Sequence, residues 1–126
     1  MKKIKFDVPI YDWSILCLRI DGKEDADGYA KEVKKFGFKN PEDYGIDMDN
    51  VADDVYDGGA CTYSSGERKE LITIYRCSSK KDLLNVILHE CDHAVWNIMK
   101  WGQIKDKEAR AYLSAFIGHK LLEDLL

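Results

Sequence analysis

The longest regular pattern in the sequence is an apolar stripe with helical spacing between Ser79 and Gly102. Intervals of three and four residues place these side chains on one broad face of a helix. They are Leu83, Leu84, Ile87, Leu88, Cys91, Ala94, Val95, Ile98 and Met99. Ser79 with Asp82 resembles a capping box, and Gly102 suits the residue that ends a helix. The pattern predicts a helix to about Trp101 that buries this face against another layer.

The first part of the chain predicts two strands followed by a helix. The segment IKFDVPIYDWSILCLRI is rich in β-branched and aromatic residues, and Pro9 and Asp12 interrupt it where a turn is expected. The segment ADGYAKEVKKFGF has helical spacing of its apolar residues. Gly37 suits the left-handed position that follows a helix.

The second part of the chain predicts a β-hairpin before the long helix and a final helix after it. ACTYS and ELITIYRC flank the polar SGERK, which is typical of a hairpin, and helical spacing returns from about Asp106 to Leu126. The order strand pair, helix, hairpin, helix, helix predicts an α+β fold in which a small antiparallel or mixed sheet packs on the long helix and the C-terminal helix. The 126 residues, 45% of them apolar, suffice for one domain spanning residues 1–126.

An acidic stretch, residues 39–59, separates the two parts. Its many acids, together with Gly58 and Gly59, predict an irregular surface connection. Between Asp47 and Asp57 the spacing lacks the central glycine and closing glutamate of an EF-hand. A solvated loop is therefore favoured over a calcium site.

Charge and hydropathy exclude several classes of protein. The 19 basic and 23 acidic residues give a net charge of -4, which leaves little positive charge for a phosphate backbone, so we expect no nucleic-acid partner. No apolar run approaches the roughly 20 residues of a membrane span, and we expect no membrane partner. Asp7 and Asp12 interrupt the only stretch that could begin a signal peptide, which favours the cytoplasm.

Four cysteines are spread through the chain without a C-x-x-C pair. They are Cys17, Cys61, Cys77 and Cys91. This spacing argues against a zinc knuckle and against a dense disulfide framework. We expect reduced and mostly buried thiols, in agreement with a cytoplasmic location.

The long helix contains His89-Glu90-Cys91-Asp92-His93, which matches the pattern H-E-x-x-H in full. Residues four apart project from the same side of a helix, so His89 and His93 can bind one metal ion. Neutral imidazoles favour zinc, which lowers the pKa of bound water to around 7. Glu90, adjacent to the first ligand, can take the proton of that water and deliver it to a leaving amine.

Two histidines leave the site incomplete, and a third ligand is expected from the last helix, folded back antiparallel. Glu108 is the first choice because it lies near the start of that helix. Asp106 is an alternative with a shorter side chain, and His119 is a further one, about 16 Å along the helix from Glu108. Tyr112, one turn after Glu108, could donate a hydrogen bond to a developing oxyanion. Interior packing is the simpler interpretation of Tyr112, and the hairpin residues Tyr63 and Tyr75 are weaker candidates for that donor.

The segments LLNVILHECDHAVWNIMKW and DKEARAYLSAFIGHKLL resemble zincin metallopeptidases of the gluzincin type. They are closest to small ImmA-like and phage or prophage-encoded zincin-like proteins, whose second helix begins with an acid-Ala-x-Ala-aromatic pattern, here Glu108 to Tyr112. Arg110 stands where ImmA-like enzymes usually carry Asn. The resemblance implies a minimal zincin-like fold, with His89 and His93 as zinc ligands and Glu90 as general base.

The resemblance also implies Glu108 as the acidic ligand and gives ELITIYR the role of an edge strand that binds an extended peptide. The expected function is that of a zinc metallopeptidase that hydrolyses a protein or peptide in the cytoplasm. If the protein is phage-encoded, this is the cytoplasm of the host. One alternative is a zinc-binding module without turnover, acting as a phage accessory, structural or inhibitory protein. Another is a metal-free interaction domain.

Overall fold

The computed structural model describes residues 1–52 and 59–126. It contains a four-stranded sheet with helices on both faces. Short 3₁₀ turns lie at Lys23–Asp25 and Pro41–Tyr44. The strands and helices are β1 (Lys2–Val8), β2 (Trp13–Ile20), α1 (Ala26–Phe36), α2 (Met48–Ala52), β3 (Ala60–Ser65), β4 (Lys69–Tyr75), α3 (Lys80–Trp101) and α4 (Lys107–Leu125). The predicted strand pair, hairpin and three main helices are confirmed. The predicted irregular connection contains one 3₁₀ turn and α2, and its residues 53–58 lie outside the described part of the chain.

The strands are arranged in the order β1-β2-β4-β3, and the sheet is mixed. β1 and β2 are antiparallel, β2 and β4 are parallel, and β3 and β4 are antiparallel. This arrangement confirms the α+β class with a mixed sheet. It also shows that the expectation for ELITIYR is wrong, because β4 is an interior strand whose backbone groups pair on both sides. The edge strand of the hairpin is β3.

Side chains of β4 alternate between two hydrophobic layers. Ile72 and Ile74 face the layer that contains α3 and α4, whereas Leu71 and Tyr75 face the layer that contains α1. Every residue of β4 after Lys69 is buried, since helices cover both faces of the sheet. The helix α3 therefore packs against one face of the sheet only. The side chains on the opposite face do not support the H-E-x-x-H motif.

The two ends of α3 are fixed by different contacts. At its start, the Ser79 hydroxyl accepts a hydrogen bond from the backbone N–H of Asp82 at 3.1 Å, which confirms the predicted cap. At its end, Gly102 has φ -80°, and the left-handed conformation falls on Gln103 with φ 55°. A Cβ on Gly102 would lie 2.8 Å from the carbonyl oxygen of Ile98. Glycine is needed there for close approach of the backbone and not for a positive φ.

α4 returns antiparallel along α3 after a short turn, as predicted. Close contacts join the two helices at Cys91, whose Sγ lies 3.8 Å from the carbonyl oxygen of Ser114, and at Gly118, where an added Cβ would lie 3.7 Å from that Sγ. On its other side α4 reaches β1 through Phe116 and Phe6, whose ring centroids are 6.1 Å apart. None of the helices in residues 1–52 and 59–126 combines the length and apolar character needed to cross a membrane.

Candidate metal centre

The two histidines of the motif come together on the outer face of α3. Their Nε2 atoms are 3.0 Å apart, and their ring centroids are 4.7 Å apart. Both side chains are exposed. One helical turn between His89 and His93 brings the two nitrogens to a common point, as the spacing predicts.

This arrangement fits a zinc ion. Two Zn–N bonds of about 2.0–2.1 Å at a tetrahedral angle hold their nitrogens about 3.3 Å apart, close to the separation found here. Neutral imidazole is a normal zinc ligand, and solvent has access to both rings. His89 and His93 could therefore hold a metal with little change of rotamer.

Glu90 completes a group of three possible ligands but lies in a different environment. Its carboxylate oxygen and the two imidazole nitrogens all lie within 4.8 Å of one another. Glu90 is only 3% exposed. The Thr62 hydroxyl on β3 lies 3.1 Å from Oε1 of Glu90, to which it donates, and 3.4 Å from its carbonyl oxygen. Strand β3 thus fixes the carboxylate beside the histidine pair.

The helix geometry explains this difference in exposure. Ile87, Ala94 and Ile98 point into the core, and each residue turns the helix by about 100°. His89 and His93 lie on the opposite side, so Glu90 emerges at the boundary between core and solvent. The surroundings are apolar enough that burial raises the pKa of the nearby Cys17 thiol to about 12, and the charge of Glu90 adds to this rise.

The residue predicted as third ligand is not part of this group. Glu108 is the second residue of α4, and its side chain is exposed. Arg110 reaches α3, where its Nη2 lies 4.0 Å from Oδ1 of Asp92, the neighbour of His93. Residues two apart differ by about 200° around a helix, so Glu108 leaves α4 from the side opposite Arg110.

The two alternatives have other roles in the structure. Asp106 is the N-cap of α4, where its Oδ1 accepts from the backbone N–H of Glu108 at 3.0 Å. It shares a cleft with His93 but is not in the group of three. His119 is exposed, and its Nε2 lies 3.4 Å from the carboxylate of Glu123. Within the described chain, the cluster that could hold a metal consists of His89, Glu90 and His93.

Tyr112 lies in an aromatic group on the β1 side of α4. Its ring is 6.3 Å from that of Tyr11 and 5.9 Å from that of Phe116, measured between centroids. Within residues 1–52 and 59–126, no hydrogen bond or ring contact joins Tyr112 to the histidine pair. Tyr63 and Tyr75 pack in the layer of α1, on the face of the sheet opposite α3. None of the three tyrosines is brought to the candidate metal centre.

Two polar residues of the hairpin, the half-buried Thr62 and the buried Glu70, were not singled out by the sequence. Thr62 contacts Glu90 because the fold places β3 beside α3, and the sequence does not show this neighbourhood. Glu70 is fully buried, and the Ser64 hydroxyl lies 2.6 Å from each of its carboxylate oxygens. Burial raises the pKa of Glu70 to about 7, although the hydrogen bond from the Ser64 hydroxyl opposes the rise. Its position could have been found, because strand alternation places it on the same face as Ile72.

Comparison of the chain with models of known protein families, with curated proteins and with solved structures found no match. The interpretation of the site therefore rests on its geometry and chemistry.

Proposed function

We propose that the chain is a zinc metallopeptidase that hydrolyses a peptide bond in a protein or peptide. The observation that carries the proposal is the 3.0 Å separation of the Nε2 atoms of His89 and His93 beside the buried carboxylate of Glu90. Two ligands and an adjacent base are part of what this chemistry requires, and a third protein ligand would complete the site. The four free cysteines support the cytoplasm as the compartment.

Each residue of the group has a separate role in the proposed reaction. When bound, zinc supplies a Lewis acid that polarises the peptide carbonyl and lowers the pKa of water. His89 and His93 hold the ion at the surface of α3. Glu90 accepts a proton from the attacking water and returns it to the departing amine. Thr62 holds the Glu90 carboxylate in place through its hydroxyl.

The third ligand remains a prediction within this proposal, with Glu108 first and Asp106 and His119 as alternatives. A change of Glu108→Gln is expected to weaken zinc binding about tenfold if its carboxylate joins the ion. Asp124→Asn, a change at another exposed acid of α4, is the matched control. Equal zinc affinity in the two variants would remove Glu108 from the ligand set.

Strand β3 is the proposed binding edge for an extended substrate, in place of ELITIYR. In the described chain β3 pairs only with β4, so its outer backbone groups are available for a further strand. Thr62 joins this strand to Glu90. A peptide added along β3 would therefore lie beside the base and the histidine pair.

Hydrolysis of fluorescein-labelled casein tests the proposed activity. We expect the zinc-loaded protein to release labelled fragments and Glu90→Gln to lose this activity at least about a hundredfold, because no base then accepts the proton. Glu123→Gln controls for loss of an acid on an exposed helix surface. Equal activity in wild-type and Glu90→Gln protein, or activity that survives removal of zinc by a chelator, would contradict catalysis at this site.

A second candidate function is a zinc-binding module without turnover, which includes an accessory or inhibitory role. The arrangement of α4 favours it, because none of its described residues joins the group of three. The burial of Glu90 and its hydrogen bond to Thr62 also suit a structural carboxylate. This alternative predicts stoichiometric zinc with no cleavage of casein or of any other peptide tested. A metal-free interaction domain instead predicts that zinc does not bind at all.

A further inference from the structure

A cleft of about 850 Å³ opens beside the candidate metal centre, at the corner where α3 turns into α4. His93 and its neighbour Asp92 are among the residues that line it. The walls come from the last turns of α3, from the connecting turn and from the first turn of α4. Any peptide cleaved at the histidine pair therefore has this cleft within reach of its neighbouring residues.

The wall of the cleft is rich in unpaired positive charge. Lys100, Lys105 and Lys107 line it, and within residues 1–52 and 59–126 no acid lies within ion-pair distance of these three. The two acids that line the cleft already have partners. Asp92 faces Arg110 at 4.0 Å, and Asp106 caps α4. The cleft thus carries a local excess of positive charge in a chain whose net charge is -4.

An apolar surface lies between these charges. Trp96 lines the cleft and is 66% exposed, and Met99 and Ile104 add aliphatic surface. A large exposed indole has no packing role in the described fold. Exposed aromatic side chains surrounded by polar residues are typical of binding sites.

We infer that the cleft selects substrate segments in which carboxylate groups flank an apolar side chain. The apolar side chain would contact Trp96, Met99 and Ile104, and the carboxylates would pair with the lysines. This inference rests on the proposed peptidase function and names its substrate class as acidic peptides.

A nucleic acid is less well matched to the cleft than an acidic peptide. The cleft occupies a single corner of the fold, and the net negative charge of the chain would repel a polyanion that extends beyond it. A short acidic segment needs only a few ion pairs, which the three unpaired lysines supply. Single-stranded DNA is nevertheless included as a competitor in the experiment below.

Titration of the Glu90→Gln protein with blocked pentapeptides tests the inference without cleavage. The probe has the sequence Gly-Glu-Phe-Glu-Gly, and the matched peptides carry Lys in place of both Glu, or Ala in place of Phe. Signals of the indole N–H groups in ¹⁵N-labelled protein report binding. We expect the acidic peptide to bind at least about tenfold more tightly than its lysine counterpart and to shift the signal of Trp96.

Variants with matched controls locate the binding surface. Lys105→Glu is expected to weaken binding of the acidic peptide about fivefold, whereas Lys81→Glu at the far end of α3 leaves it unchanged. Trp96→Ala is expected to remove binding, whereas Trp101→Ala, which changes an exposed tryptophan outside the cleft, retains it. Circular dichroism checks that each variant is folded.

The outcomes separate this inference from the proposed function. Equal binding of the acidic and lysine peptides, or tighter binding of oligothymidylate than of the acidic peptide, would overturn the inference. Casein hydrolysis without any preference for acidic peptides would overturn the inference alone. Preferential binding of acidic peptides by a protein that cleaves none of them would contradict the proposed function and support the cleft as an acidic-peptide site.

Discussion

His89 and His93 are exposed, whereas Glu90, which lies between them in the sequence, is buried. A buried carboxylate without a hydrogen-bond donor is costly, so the hydroxyl that contacts Glu90 matters for stability as well as for position. That partner, Thr62, lies on another strand. At the residue scale, the site therefore depends on one contact between the hairpin and α3.

Replacement of Thr62 by Val tests this contact. The change keeps the shape and removes the donor, so we expect the free energy of unfolding to fall by about 1–3 kcal/mol because Glu90 is left buried and unsatisfied. Urea denaturation measures the effect. Thr62→Ser, which keeps the hydroxyl, is expected to recover most of the loss. Equal stability of the Val and Ser variants would show that the hydroxyl does not hold Glu90.

The raised pKa of the buried Glu70 carboxyl leads us to expect that stability depends on pH. Burial raises its pKa from 4.5 to about 7 in the folded state, so the folded protein binds a proton that the unfolded chain has released. The stability from this proton is complete below pH 4.5 and is lost as the pH rises to about 7, a change of about 3 kcal/mol. Glu70→Gln should lack this loss. Urea unfolding of both proteins at a series of pH values gives the difference, and parallel curves would contradict the assignment.

At the element scale, the sequence predicts α3 well because every signal in it is local. The Ser79 cap, the apolar face and the spacing of His89 and His93 all depend on residues within one or two helical turns. The role of β4 could not be predicted in the same way. Its insertion beside β2 depends on a parallel pairing between distant segments, which local patterns do not specify. The family resemblance consequently predicts the edge strand in the wrong half of the hairpin.

The end of α3 gives a prediction for Gly102→Ala. A Cβ there would lie 2.8 Å from the carbonyl oxygen of Ile98, so the last turn must shift, and we expect a loss of about 1–2 kcal/mol in stability. Gly66→Ala is the matched control, because nothing lies within 4 Å of its added Cβ. Thermal unfolding followed by circular dichroism compares the two. Similar midpoints for both variants would refute the close approach as the reason for glycine.

At the scale of the whole molecule, the rotation of α4 about its own axis decides which side chains reach α3. The sequence predicts that α4 returns antiparallel, and it does. It does not predict that Phe116 packs on Phe6 and Tyr112 on Tyr11, which turns the Glu108 side of α4 towards β1. The histidine pair could be predicted from spacing alone, whereas the third ligand depends on this packing between distant parts of the chain.

Calorimetric titration of the metal-free protein with zinc tests the central claim most directly. We expect one zinc ion per chain for the wild-type protein, and a loss of affinity of at least about a hundredfold for His89→Ala and for His93→Ala. Circular dichroism establishes that the variants remain folded. Zinc binding that is absent in the wild-type protein, or that is unchanged when both His89 and His93 are replaced, would contradict the account.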